Sequence, residues 1–152
     1  MAKKIKVYAG YLHLKPINGV IFPSYIQNQM NKNYINEKLN GQFFMTTNEN
    51  MYGDNAIILN SLAKEKSING IVMLSTFCLP ESFDLRHKFY KLCIKNNKSL
   101  YFIFENIKFE KNSSSLREIE ENLIFDNEFF TKKKIALTRP EKEFIDKTWQ
   151  FI

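Results

Sequence analysis

The run Ile68-Asn69-Gly70-Ile71-Val72-Met73-Leu74-Ser75-Thr76-Phe77-Cys78-Leu79-Pro80 constrains this chain more than any other stretch. Asn69-Gly70 is a turn signal. Ile71 to Leu74 is unbroken apolar sequence. A strand with one wet face alternates, whereas an unbroken run suits a strand covered on both faces, as in a parallel sheet. Ser75-Thr76 interrupts the run, at the end where small hydroxyls point into a crevice. Pro80 suits the first turn of a helix, because its missing N–H would have no partner there. Leu85, Phe89, Leu92 and Cys93 then recur along one helical face.

The rest of the chain falls into place around that strand. Ile5 to Leu12 alternates as a first strand, and His13 to Pro23 is a loop with a short extended piece at Val20 to Phe22. Ser24 and Gln27 have the spacing of a capping box. They open a helix with Ile26, Met30, Tyr34 and Ile35 inward, ended by Asn40-Gly41. Gln42 to Thr46 is a second strand, followed by a polar loop. Asp54 is placed to cap a helix over Asn55 to Lys66, and the central strand and its helix, Pro80 to about Asn96, come next. Ser99 to Phe104 is a fourth strand, and Ser115 with Glu118 marks a further helix start.

Four strands alternating with three helices define an α/β class. Right-handed crossovers predict a three-layer, Rossmann/flavodoxin-like parallel sheet of order 2-1-3-4 with a helical C-terminal extension. A single domain over residues 1–152 is expected, with its core at about 5–105 and the extension at 106–152. In that order the winding reverses between strands 1 and 3. Ligands bind at such a point, beyond the carboxyl ends of the strands. The loops His13 to Pro23 and Ser75 to Leu79 meet there.

Charge and cysteine usage narrow the partners. The net charge of +6 is concentrated at the front, where Lys3, Lys4, Lys6, Lys15, Lys32 and Lys38 face one acid, Glu37. No basic run exceeds Lys132-Lys133-Lys134, so the lysines are read first as solvated surface and second as an anion-attracting set, and nucleic-acid recognition ranks third among the functions. No apolar run is long enough for a membrane span, and no signal-peptide block is present. A cytoplasmic protein is expected, with Cys78 and Cys93 as buried thiols. The exposed edge of such a sheet invites a homodimer.

Polar residues gather at the predicted crevice. Lys15, Ser24, Gln27 and Asn28 belong to the first loop and the helix start, where free N–H groups suit an anionic ligand. Ser24 and Gln27 would serve equally as mutual caps. Ser75, Thr76 and Arg86 complete the candidate binding set, against a plainer reading as strand terminators and an ordinary ion pair. Glu49, Glu105, His13 and Tyr52 are the candidates for acid/base work. No catalytic triad is visible, since no acid is placed to orient His13. Metal-ligand spacing and phosphate-cradling glycine loops are absent, so no cofactor is expected.

Gly10-Tyr11, Lys15-Pro16-Ile17-Asn18-Gly19, Pro23 and Ile26-Gln27-Asn28, with Asn69-Gly70-Ile71-Val72, Ser75, Phe77 and Leu79-Pro80-Glu81, resemble the sporadic carbohydrate cluster protein family. That family occurs among bacterial genes for surface-polysaccharide sugars and has Arg where Lys15 stands. The resemblance covers roughly residues 5–105. It implies an enzyme of surface-carbohydrate biosynthesis acting on a sugar or nucleotide sugar by metal-free acid/base chemistry, of the isomerase, lyase or transferase type. The alternative it implies is a sugar-binding or accessory subunit, with the aromatic tail Phe125, Phe129, Phe130, Trp149 and Phe151 covering a partner. A weaker likeness is to the catalytic domain of serine recombinases, which open with a similar strand-loop-helix rhythm. The arginine cluster those enzymes need around their serine is missing.

Overall fold

The computed structural model describes residues 4–17, 19–49, 56–110 and 115–131. The chain divides into two compact units, Met1–Lys111 and Asn112–Ile152. The first is an α/β unit. Strand β1 (Val7–Leu12) leads to helix α1 (Ser24–Asn33), which continues as a π-helical turn over Tyr34–Lys38. Strand β2 (Gln42–Asn48), helix α2 (Ile57–Lys64), strand β3 (Gly70–Met73), a 3-10 turn at Thr76–Cys78, helix α3 (Phe83–Lys95) and strands β4 (Ser99–Phe102) and β5 (Ile107–Phe109) follow. In the second unit helix α4 (Ser115–Thr131) carries an Arg117–Glu121 ion pair one turn apart, at 2.9 Å.

The sheet runs β2-β1-β3-β4-β5. Its first four strands are parallel, in the order expected. The fifth is an addition: β5 folds back antiparallel on β4, pairing Phe102 with Ile107 and Leu100 with Phe109. The sequence reading ran the fourth strand on to Phe104. The chain instead turns at Phe102, helped by Asn106 at φ 55°, a left-handed conformation that asparagine tolerates well. Three residues, Ile107-Lys108-Phe109, are too few to announce a strand by periodicity.

Burial follows the central run. Ile71, Val72, Met73 and Leu74 are fully buried, as a strand covered on both faces requires. Helix α1 packs on β1, and α2 packs on α3. Cys78 and Cys93 are free, buried thiols. Burial raises both, Cys78 to about 12, so neither is a thiolate near neutrality.

One core cluster joins Tyr8, Ile35, Val72 and Tyr101. The rings of Tyr8 and Tyr101 meet edge to face, with centroids 5.7 Å apart. Burial first, and then the neighbouring Tyr101, push the Tyr8 phenol from 10 up to about 12. The folded state therefore favours the neutral phenol. That stability is fully present below pH 10 and is lost as the pH rises through about 12. Tyr8→Phe should remove this pH dependence. An alkaline unfolding curve identical for Tyr8→Phe and the parent chain would contradict the assignment.

Among the described residues no helix is long and apolar enough to cross a membrane.

Candidate functional site

The carboxyl ends of β1, β3 and β4 gather two polar clusters. The first is built by Gln27. Its side-chain carbonyl accepts from the backbone N–H of His13 at 2.9 Å. Its amide donates to the carbonyls of His13 at 2.7 Å and Phe22 at 2.8 Å. Gln27 is 1% exposed. A capping box with Ser24 is not formed: Ser24 is the first helical residue, Pro23 holds the cap position, and no side chain caps the helix. Gln27 ties both ends of the first loop instead. A bridge between Ile17 and Val20 closes the middle of that loop.

The second cluster is built by Glu105. Ser75 Oγ donates to Glu105 Oε1 at 2.5 Å. The Thr76 backbone N–H donates to the same carboxylate at 3.1 Å, and Thr76 Oγ1 lies 3.4 Å from Oε1. Ser75 Oγ in turn accepts from the backbone N–H of Phe77 at 3.2 Å, capping the 3-10 turn. Ser75 and Thr76 are buried. The Phe22 and Phe104 rings, 5.3 Å apart, bring the first loop against the segment that carries Glu105. The two clusters therefore lie over the same end of the sheet.

The other candidates hold structural contacts. Glu49 accepts from Tyr11 Oη at 2.8 Å and from the backbone N–H groups of Ile58 and Leu59 at 2.7 and 3.2 Å. It supplies the capping interaction expected of Asp54, a residue outside the described ones. Asn28 accepts from Thr46 Oγ1 of β2. Arg86 is buried and donates to the carbonyls of Pro80 and Glu81 at 3.0 and 2.7 Å, with its guanidinium 5.8 Å from the Phe83 ring centre. His13 is half-buried and Lys15 exposed. Tyr52 and the whole tail from residue 132, with Trp149 and Phe151, lie outside the described residues, as do the side chains of Phe125, Phe129 and Phe130. No group of acids, histidines and cysteines placed to hold a metal occurs among the described residues.

Sequence reasoning missed two residues of consequence. Lys98 is 7% exposed. Its ammonium donates to the carbonyls of Glu65 and Ile68, both at 2.5 Å, and burial holds its pKa below the ordinary lysine value. Asn69, read only as half of a turn, joins strands: its side-chain oxygen accepts from Val7 N at 2.9 Å, and its backbone N–H donates to Val7 O at 2.6 Å. Their signal was position, one residue ahead of a strand.

No protein-family model and no curated protein matches the chain. Among solved structures, it is similar to the N-terminal catalytic domain of TP901-1 integrase. The TM-score is 0.58 at 17% identity, covering 84% of this chain and 98% of that chain. This likeness overturns the expected function and partners. An enzyme or accessory subunit of carbohydrate biosynthesis, with a sugar or nucleotide-sugar ligand, finds no support in a fold shared with an integrase domain. The error has a physical source. Polar residues over a sheet end looked like a solvated pocket, whereas Gln27, Glu49 and Glu105 spend their hydrogen bonds on the protein's own backbone and hydroxyls.

Proposed function

We propose that this chain is a nucleic-acid-binding domain on the integrase catalytic-domain fold, working in the cytoplasm without strand-cleaving chemistry of its own. The observation that carries the reading is the extent of the likeness, through 84% of this chain and 98% of the integrase domain. The net charge of +6 supplies the attraction that a phosphate backbone answers. Serine chemistry is left out for two reasons. The hydroxyl of Ser75 is buried and directed at Glu105. Arg86, one of only three arginines with Arg117 and Arg139, is engaged with the Pro80 and Glu81 carbonyls. The three-layer, flavodoxin-like winding belongs to this reading. So does the resemblance to the sporadic carbohydrate cluster family, kept as a proposal about descent and not about activity.

Titrating the protein into a fluorescent DNA duplex at several salt concentrations tests the reading. Binding at low salt is expected, in the roughly micromolar to hundred-micromolar range, with log K falling linearly against log salt. Supercoiled plasmid should stay intact. Anisotropy that stays flat at low salt ends the nucleic-acid reading, and nicked plasmid ends its non-cleaving half.

A further inference from the structure

The charge of the first unit is polarised along the strands. β1, β2, β3 and β4 run parallel, so their first residues share one edge of the sheet. Each is entered through lysine. Lys4 and Lys6 precede Val7, Lys38 precedes Gln42, Lys64 and Lys66 precede Gly70, and Lys95 and Lys98 precede Ser99. Backbone bonds knit these entries together: Gln42 N–H donates to Lys6 O at 2.8 Å, Asn69 N–H to Val7 O at 2.6 Å, and Ser99 N–H to Asn69 O at 3.1 Å. Against the seven cations stand three acids: Glu37, Glu65, and Glu110, which antiparallel β5 returns to this edge beside Ser99 and which pairs with Lys108 at 2.9 Å. At the opposite edge Lys15 and Arg86 face Glu49, Glu81, Asp84 and Glu105, so the sign reverses.

Helix dipoles account for part of this pattern. Lys38, Lys64 and Lys95 sit at helix C-termini, where a cation is favoured. Lys4, Lys6 and Lys66 lie on no helix. The six lysines other than Lys98 are exposed, and none forms an ion pair among the described residues. Lys98 is the fixed member: buried, it clamps the Glu65 and Ile68 carbonyls and so holds the loop that carries Lys66.

We propose that this lysine rim, at the amino-terminal ends of the four parallel strands, grips the phosphate backbone of duplex DNA, on the edge opposite the Ser75–Glu105 cluster. The proposal rests on the nucleic-acid reading above and locates its surface. Four adjacent strands span roughly 14 Å. At one charge per ~1.7 Å of duplex axis, both strands counted, that length of duplex carries about eight phosphate charges. The rim carries lysine point charges and no arginine fork, so its grip falls on phosphates, which carry no sequence information. An anionic membrane fits less well. A membrane-surface element pairs its cations with a broad apolar helix face, and the exposed apolar residue in this rim is Ile5 alone among the described residues.

The test uses the full chain. Lys6, Lys64, Lys66 and Lys95 are changed together to Gln, and separately to Arg. Lys88→Gln on the exposed face of α3 is the control and Lys15→Gln the opposite-edge variant. Duplex affinity is read across a salt series, with circular dichroism to verify folding. The Gln variant should bind roughly 100-fold or more weaker at low salt, with its salt slope reduced by about 3.6, roughly 0.9 for each of the four lysines. The Arg variant should bind like the parent, which also covers the case of a Gln variant that folds poorly. Duplex binding that survives the Gln change and is lost in Lys15→Gln overturns the rim and leaves the nucleic-acid reading standing. No duplex binding by the parent chain overturns both, and binding to phosphatidylserine vesicles but not to duplex replaces DNA with a membrane.

Discussion

Glu105→Ala is expected to lower the stability of the first unit by roughly 3–4 kcal/mol, with duplex binding unchanged wherever the protein remains folded. The carboxylate receives Ser75 Oγ, Thr76 N–H and Thr76 Oγ1. All three donors belong to residues almost wholly buried, Ser75 and Thr76. Truncation removes the acceptor and leaves the donors in place, and buried donors without a partner cost more than the bond itself contributed. The contacts also link the end of β3 to the turn after β4, so the loss falls on the centre of the sheet. Glu105→Gln keeps one acceptor oxygen and should lose about half as much. Urea unfolding measures both. An alanine variant as stable as the parent would show that the carboxylate is held for something other than structure, and would revive it as a reactive group.

Much of the fold was legible because it rests on patterns that burial enforces. Ile71 to Leu74 had to be a doubly covered strand, and with it came the parallel sheet and the 2-1-3-4 order. The fifth strand was not legible, because three residues have no period and its place depends on a turn at Asn106. At the sheet end, the residues Gln27, Ser75, Thr76 and Glu105 were all singled out, and their contacts with one another and with the backbone were not legible. Sequence shows that a carboxylate follows a strand. It does not show whether that carboxylate faces a ligand or a neighbouring N–H, since Ser75 and Glu105 are thirty positions apart. The common edge of the lysines was not legible either. Summed along the chain they look scattered, and only the parallel pairing of four strands brings Lys4, Lys6, Lys38, Lys64, Lys66 and Lys95 to one edge.

Gln27→Leu should cost about 3 kcal/mol and open the first loop to protease. The volume is nearly conserved, so the packing beside β1 is kept while three hydrogen bonds vanish together. The His13 N–H and the carbonyls of His13 and Phe22 each lose a partner. Those groups fasten the loop at both of its ends, and Phe22 carries the ring that meets Phe104. Release at Phe22 therefore loosens that ring contact as well. Gln27→Glu should be at least as damaging, although it is closer in shape, because a carboxylate would face two carbonyl oxygens with no donor between them. Lowering the pH far enough to protonate that glutamate restores one donor, so the Glu variant should regain stability in acid relative to the Leu variant. Limited proteolysis between residues 13 and 22, followed across pH for both variants, measures the effect. Equal resistance of parent, Leu and Glu chains would mean that the loop is fastened by its Ile17–Val20 bridge and not by Gln27.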